Sequence, residues 1–209
     1  MNSTTNALGE TKQLLAEEVF RHIASRIIDG DFAPGHRIRD VDVADELHVS
    51  RTPVREALQR LERLGLVIMY PSRFTEVTIV TPEIVDQTRE FAGYQAGIAA
   101  RMAVPRLTQP QREQVAALVD EMQPALGDAA LTSRTRWAVF SYLSDHSDNS
   151  QHRVQVQDAA MALFRNLRDW TVPEEDHARM TTIYRDFREA VLGGDGDRAE
   201  ALARQMYYV

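Results

Sequence analysis

The sequence predicts a mainly α-helical protein in two parts, and three observations support this. Apolar residues recur at helical spacing through most of the 209 residues. Two β-prone runs lie close together between residues 66 and 79, and no convincing strand pattern follows them. Thr81-Pro82, a capping residue and a first-turn proline, then opens a purely helical pattern. We therefore expect a loose tail over residues 1–10, one domain over residues 11–80 and an all-α domain over residues 81–209.

The composition is that of a globular protein and excludes several classes. The hydrophobic fraction of 44% and the charged fraction of 26% are ordinary for such proteins. No segment is long and uncharged enough to span a bilayer, so we expect no membrane association. The absence of cysteine excludes disulfides and thiolate metal sites and fits a cytoplasmic protein. A net charge of −7 argues against a protein that coats nucleic acid indiscriminately.

Two helices are expected before residue 50. The first runs from about residue 11 to residue 29, and its apolar stripe consists of Leu15, Val19, Ile23 and Ile27. Gly30 ends it, and a turn with proline before glycine follows. Asp40 is then expected to cap a short second helix.

A basic helix follows almost directly and has two different faces. Ser50 is expected to be its N-cap, and its apolar face consists of Val54, Leu58 and Leu61. The other face carries Arg51, Arg55 and Arg60. From residue 50 to residue 73 there are five arginines against two acids, a local excess of positive charge that suits DNA. The alternative is an ordinary solvated face.

The two β-prone runs, residues 66–70 and 74–79, are joined by Pro71-Ser72-Arg73, which predicts a hairpin with Arg73 at its tip. Two helices joined by a tight turn and followed by a hairpin form a winged helix-turn-helix. The N-terminal end of such a second helix can offer N–H groups to phosphates and arginines to guanine. The order of these elements therefore favours DNA binding.

The second part is predicted to be an antiparallel bundle of about six helices. Thr108 with Gln111 three residues later has the spacing of a capping box, which opens the second of them. The six helices are expected at roughly residues 82–104, 109–126, 131–147, 151–169, 174–192 and 196–208.

The N-terminal part resembles the GntR family of bacterial transcription regulators. The match covers Ile28-x-Gly30, Pro34-Gly35-x-Arg37-Ile38, Val43 to Leu58 and Arg60-Leu61-x-x-x-Gly65-Leu66-Val67. The helical part resembles the ligand-binding domain of the FadR-like subgroup. That match consists of Ala99-Ala100-Arg101-Met102-Ala103 in its first helix and Gly194-Asp195-x-x-x-Ala199 at its last.

The resemblance implies a homodimeric, sequence-specific transcription regulator, a repressor, that reads a palindromic double-stranded operator under the control of a small-molecule effector. The family's wing-tip glycine falls on Ser72, and a wing without that glycine is expected to hold its backbone farther from the minor groove. The implied DNA contacts are Arg37, Arg39, Ser50, Arg51, Thr52, Arg55 and Arg73.

The helical domain departs from the family pattern at its ligand site. Many relatives hold a divalent metal with an aspartate and three histidines, and these positions fall on Trp137, Ser141, Tyr184 and Met206. Such side chains cannot replace a carboxylate and imidazole set, so we expect no metal and no cofactor. The family's arginine for a ligand carboxylate falls near Ala92.

Arg89, one turn from Ala92, is a substitute for that arginine, and the predicted effector pocket otherwise consists of bulky side chains. One hypothesis is a pocket for an apolar or aromatic effector, with Tyr184 supplying a hydroxyl. The alternative is that these side chains fill the core. The expected pocket residues are Arg89, Trp137, Phe140, Ser141, Tyr184 and Met206.

Two rival functions are open at this point. An enzyme with a hydrolytic or metal-assisted site in the bundle would require clustered histidines, whereas His146, His152 and His177 fall at helix ends or in a polar link. Ser144 and His146 have no nucleophile motif around them, so we interpret them as a solvated helix end and expect no catalytic residue. The other rival is a winged helix that binds protein instead of DNA.

Overall fold

The computed structural model describes the backbone of residues 3–71 and 73–209, and the side chains of these residues from residue 14 onward. The chain divides into two compact units between Val80 and Thr81. The first unit contains α1 (Ser3–Asp29), β1 (Arg37–Ile38), α2 (Asp40–Glu46), α3 (Arg51–Arg63), β2 (Val67–Tyr70) and β3 (Phe74–Val77). The second contains α4 (Pro82–Ala103), α5 (Gln109–Asp120), α6 (Ala129–Asp145), α7 (Ser150–Asn166), α8 (His177–Gly193) and α9 (Gly196–Gln205). The predicted fold class, a winged helix-turn-helix followed by a helical bundle, is confirmed.

The first helix begins earlier than the sequence indicated. α1 starts at Ser3 and not near residue 11, while Met1 and Asn2 lie outside the described residues. The physical reason is that adding residues to an existing helix needs no new nucleus. Weak local signals therefore did not mark the true start.

The core of the first unit is built from the predicted apolar stripes. In α1, Val19, Ile23 and Ile27 are buried, and the stripe of α3 is almost fully enclosed. That stripe consists of Val54, Leu58 and Leu61. Because this face of α3 is fixed in the core, its opposite face is held toward solvent.

The hairpin carries a third strand that the sequence did not predict. The sheet has the order β1-β3-β2, with all neighbours antiparallel. In the hairpin Val67 pairs with Val77 and Tyr70 pairs with Phe74, as expected for a wing. β1 has only two residues, and it forms because β3 supplies its partner. A strand of that length has no recognisable period in the sequence.

The second unit contains the six expected helices, with boundaries within a few residues of the prediction for most of them. The largest difference is at α5, which ends at Asp120 instead of residue 126. The capping box is confirmed, since Gln111 Oε1 accepts the backbone N–H of Thr108 at 2.8 Å. Over the described part of the chain, none of the helices combines the length and apolar character needed to cross a membrane.

α4 and α9 approach each other closely because α4 presents small residues. A Cβ added at Gly93 would lie 2.8 Å from Cβ of Tyr207, and one added at Gly97 would lie 3.0 Å from Cγ of Arg204. The short segment after α9 thereby packs into the bundle, where Tyr207 and Met206 are buried. This packing forms one wall of the cavity described below.

Candidate DNA interface and ligand cavity

α3 presents its N-terminal end to solvent. Ser50 occupies the predicted N-cap position with extended backbone, and its side chain makes no capping hydrogen bond. Thr52 is exposed, and the side chains of Arg51 and Arg55 are 54% and 59% accessible. The hydroxyls and guanidinium groups at this helix end are therefore available to an external partner.

Arg51 and Arg55 share one carboxylate, that of Asp40. Nη2 of Arg51 lies 2.9 Å from each Asp40 oxygen, and Nε of Arg55 donates to Oδ2 at 2.7 Å. Burial alone would raise the pKa of the Asp40 carboxyl. The hydrogen bonds and charges of Arg55 and Arg51 outweigh this, and the pKa lies below its ordinary value. The two arginines are thus held side by side by an acid.

This pairing corrects the prediction for Asp40. It is the first residue of α2, Arg39 takes the N-cap position, and no side-chain capping bond forms there. Both of its oxygens instead accept hydrogen bonds from arginines of α3. Asp40 fixes α2 against α3, a role that spacing along the sequence did not indicate.

The third arginine of the basic helix has a different partner. Arg60 forms an ion pair with Glu17 of α1, and its guanidinium lies 3.9 Å from the ring centroid of Phe20. It therefore connects α3 to α1. Arg51 and Arg55 form the exposed end of the basic face.

Other predicted contact residues surround this helix end, and they also have acidic neighbours. Nε of Arg37, on β1, lies 3.7 Å from Glu76, and its guanidinium covers the ring of Phe74. Nη1 of Arg39 lies 3.8 Å from Asp42. The side chains of both arginines are about two-thirds exposed, at 65% and 67%. Such exposed pairs are weak, so an external anion can compete for either arginine.

A groove runs between α3 and the wing, defined as residues 67–77. Arg73 lies at the predicted tip, where its N–H donates to the carbonyl of Tyr70 at 3.0 Å and closes the turn. Ser72, the position of the family's wing glycine, lies outside the described residues. The side chains along the groove include Arg39, Asp40, Arg51, Arg55, Gln59, Met69, Arg73 and Phe74.

The helical unit contains an apolar cavity between α4, α6 and α7. Of the six predicted pocket residues, Trp137 and Phe140 line it, and the other four do not. Its remaining walls come from apolar side chains that the sequence did not single out, together with a few polar ones. These residues are Phe91, Ala92, Gln95, Ala96, Ala99, Thr132, Ser133, Arg136, Val156, Ala159, Leu163, Phe164, Leu167, Trp170 and Tyr207.

The four other predicted residues have structural roles. Arg89 donates to the backbone carbonyl of Tyr207 and holds the end of the chain against α4. Met206 is fully buried, and Ser141 donates weakly to a carbonyl of its own helix. Tyr184 is buried, and its hydroxyl accepts from an arginine described next. These four side chains make contacts within the helical unit and do not line this cavity.

Arg136 also lines the cavity, although no sequence pattern singled it out. It lies on α6 with only 2% of its surface accessible. Its Nη2 and Nε lie 3.0 Å and 3.3 Å from the hydroxyl of Tyr184, while Nη1 is buried without a hydrogen-bond partner. Arginine is common on helices, so only the three-dimensional packing identifies this one.

The metal positions of the family do not form a metal site in this chain. They hold a tryptophan, a serine, a tyrosine and a methionine, a set without carboxylate or imidazole. Within the described residues, no group of three or more histidine, cysteine, aspartate or glutamate side chains is arranged to hold a metal ion. The donor set therefore does not fit the family's metal.

The histidines near the bundle ends are engaged in local contacts. Nδ1 of His146 lies 2.7 Å from the carbonyl of Tyr142, and Nε2 of His177 lies 3.0 Å from that of Val172. Ser144 corrects a prediction, because it is buried and not part of a solvated helix end. Its hydroxyl lies 3.1 Å from Nδ1 of buried His152, which links α6 to α7.

Comparisons with known proteins agree with this geometry. The family model described as "Bacterial regulatory proteins, gntR family" matches residues 15–77, and the FCD domain model matches residues 97–208. An uncharacterised HTH-type transcriptional regulator of Mycobacterium tuberculosis is 26% identical over 96% of this chain and 90% of its own length. One of Agrobacterium vitis is 28% identical over 51% of this chain, and the match spans 62% of that relative.

A solved structure, E. coli McbR/YncC, superposes with a TM-score of 0.66 at 19% identity, covering 92% of this chain and 93% of that one. At this identity the superposition establishes the fold alone. The two family models supply the rest, because they match residues in both units and the first is described as one of bacterial regulatory proteins. The chain belongs to the GntR family of bacterial transcription regulators, with a DNA-binding winged helix-turn-helix followed by an FCD domain.

Proposed function

We propose that this regulator acts as a homodimeric repressor in the cytoplasm, reads a palindromic operator with α3, and releases it in response to a small molecule bound in the helical unit. The observation that carries the DNA-reading part is the exposed pair Arg51 and Arg55 at the N-terminal end of α3. Arginines at this end of a recognition helix are suited to guanine edges in the major groove.

Asp40 gives this pair a defined geometry before DNA arrives. A carboxylate that binds two guanidinium groups limits their rotamers, so less conformational freedom is lost when they meet base edges. It also repels phosphates, which restricts the arginines to partners that replace its hydrogen bonds well. We infer that the bases of the operator are such partners.

The other predicted residues are assigned to the DNA backbone. Ser50 and Thr52 stand at the positive end of α3, where hydroxyls and N–H groups suit phosphates. Arg37 and Arg39 have weak exposed pairs that a phosphate can displace. Arg73, at the tip of the wing, is assigned to the DNA groove next to the one that α3 enters.

The homodimer is supported by an exposed apolar stripe on α4. Phe91, Tyr94 and Ile98 remain 42%, 40% and 38% accessible, and their spacing places them along one helix face. Large exposed apolar residues on one face favour a protein partner, and a second copy provides the two-fold symmetry that a palindrome requires.

The test is a gel-shift titration with Arg51→Ala and Arg55→Ala on an operator located first by footprinting upstream of the protein's own coding region. Each variant should lose roughly 1–3 kcal/mol of operator binding and discriminate less at one base pair per half-site. Arg185→Ala is the matched control, because Arg185 is an equally exposed arginine on α8. Unchanged affinity and base preference in both α3 variants would refute the assignment, and a footprint without two-fold symmetry would refute the palindrome.

A further inference from the structure

The cavity of the helical unit contains a buried positive charge that no acid balances. Among the described residues, the hydrogen-bond partners of Arg136 are the hydroxyl of Tyr184 and the sulfur of Met180, and both are neutral acceptors. Burial raises the pKa of the neighbouring Tyr207 phenol to about 12, so this group also supplies no negative charge at neutral pH. Within the part of the chain that the structure describes, the guanidinium therefore has no acidic hydrogen-bond partner.

Aromatic rings partly compensate for the missing acid. The guanidinium carbon of Arg136 lies 4.8 Å from the ring centroid of Tyr207 and 5.2 Å from that of Trp170. Ring faces attract a cation, but they replace only part of the hydration that a buried charge loses. Nη1, which is buried and unpartnered, retains an unused donor. An anion entering the cavity would satisfy this donor and the charge together.

The walls of the cavity favour an anion with an apolar body. Arg136 is the only charged side chain among the described residues that line it, and most of its neighbours there are aliphatic or aromatic. The cavity volume is about 60 Å³, compared with roughly 10–15 Å³ for one water on the same scale. Only a small body fits without movement of the walls, and a ring needs the side chains to move apart, since a cavity known to hold benzene measures about 150 Å³.

A second polar atom in the lining also lacks a partner. Oε1 of Gln95, on α4, is buried without a hydrogen bond, whereas the hydroxyl of Thr132 is already used by the carbonyl of Ala125. An acceptor and a donor that are both unsatisfied in one apolar cavity match a molecule that carries an acid and a hydrogen-bond donor. A hydroxyl on the apolar body would supply that donor.

We propose that the effector is a small carboxylic acid with an apolar body, and that Arg136 binds its carboxylate without a metal. Gln95 accepts a hydrogen bond from a hydroxyl on that body. This proposal rests on the proposed function, since it names the chemical class of the small molecule that the helical unit senses. It differs from the metal-dependent site of the relatives in chemistry, because an arginine takes the place of the metal, while Trp137 and Tyr184, two of the family's metal positions, lie beside it.

The first experiment compares ligands on the unmodified full-length protein after treatment with EDTA. Calorimetric titrations and thermal shifts are measured with benzoate, 4-hydroxybenzoate, 3-methylbutanoate and the neutral isostere benzamide. A molecule that binds only the folded state raises its melting temperature. Benzoate should bind about 10- to 100-fold more tightly than benzamide, the range expected for hydrogen bonds to a charged group. A comparison of 3-methylbutanoate with the two aromatic acids then shows whether the cavity prefers a branched aliphatic chain or a ring.

Variants identify the residues. Arg136→Met keeps the volume and should remove the preference for benzoate over benzamide, and Arg136→Lys should restore part of it. Arg185→Met, on the surface of α8, is the matched control and should leave both affinities unchanged. Gln95→Leu should weaken 4-hydroxybenzoate more than benzoate. Because the ligand comparison uses the unmodified protein, a variant that does not fold leaves the test intact.

Three outcomes would overturn the proposal: equal affinity for benzoate and benzamide, no binding by any of the acids, or binding that requires added divalent metal. The ligand site and the proposed function can fail separately. If benzoate binds through Arg136 and the operator complex is unaffected, the site stands and the control of DNA binding by this cavity falls.

Discussion

At the scale of single residues, Asp40 holds Arg51 and Arg55 of the recognition helix in ion pairs. The exposure of Arg51 and Arg55 follows from helical periodicity, because their apolar neighbours on α3 occupy the other face. Their acidic partner lies 15 residues before Arg55 and belongs to another helix. Residue spacing relates side chains within one helix, so it did not indicate this contact between two helices.

Asp40→Asn should raise affinity for random duplex about 3- to 10-fold and lower the ratio of operator to random binding. The substitution removes a negative charge near the phosphates and frees both arginines to contact any DNA. Fluorescence anisotropy with operator and random duplexes at one salt concentration measures both effects. Asp186→Asn is the matched control, since it makes the same charge change at an acid of α8 that pairs with Arg185, a residue not assigned to DNA. An equal gain in the two variants would mean that net charge alone is responsible, and no gain in Asp40→Asn would contradict the prediction.

At the scale of elements, local signals predicted the helices and failed where an element depends on a distant partner. Thr81, Thr108 and Asp195 mark helix starts through contacts within a few residues, and the sequence displays such signals directly. β1 requires β3, and the cavity requires side chains from three helices. Trp137 and Phe140, two of the residues predicted for an effector pocket, line this cavity, whereas Arg136 was not recognised.

Protonation of His152, which contacts Ser144 between α6 and α7, should make the helical unit less stable in mild acid. Burial lowers the pKa of His152 below its ordinary 6.5, so the folded state keeps this imidazole neutral while the unfolded state binds a proton. Stability is therefore complete above about pH 6.5 and falls as the pH drops below it, by at most about 1.4 kcal/mol per pH unit from this group.

Urea unfolding between about pH 7.5 and pH 5, followed by tryptophan fluorescence, measures the stability of the helical unit. Both tryptophans of the chain, Trp137 and Trp170, lie in the helical unit. His152→Gln should flatten the pH dependence, and His36→Gln, an exposed histidine of the other unit, should leave it unchanged. A pH profile that is identical in the unmodified protein and in His152→Gln would show that another group causes any loss.

At the scale of the whole molecule, the chain combines an acidic total charge with one basic face. The net charge is −7, yet the arginines near the start of α3 and on the wing face the same groove. Such a distribution directs DNA to a single surface and disfavours contact elsewhere. The sequence revealed this asymmetry because the arginines are close along the chain, and Arg39, which the family resemblance also implied, lines the same groove.

The same charge distribution predicts operator binding that weakens steeply with salt. Arginines that meet phosphates release condensed counterions, and a protein with 6–10 phosphate contacts loses on the order of 10³-fold or more in affinity between about 50 and 200 mM salt. Arg37→Gln should lower the slope of log affinity against log salt by about 1 per protomer and weaken operator and random duplex alike. Arg185→Gln, equally exposed on α8, should leave the slope unchanged. Anisotropy titrations across this salt range give both slopes, and a flat dependence in the unmodified protein would contradict phosphate contacts by this face altogether.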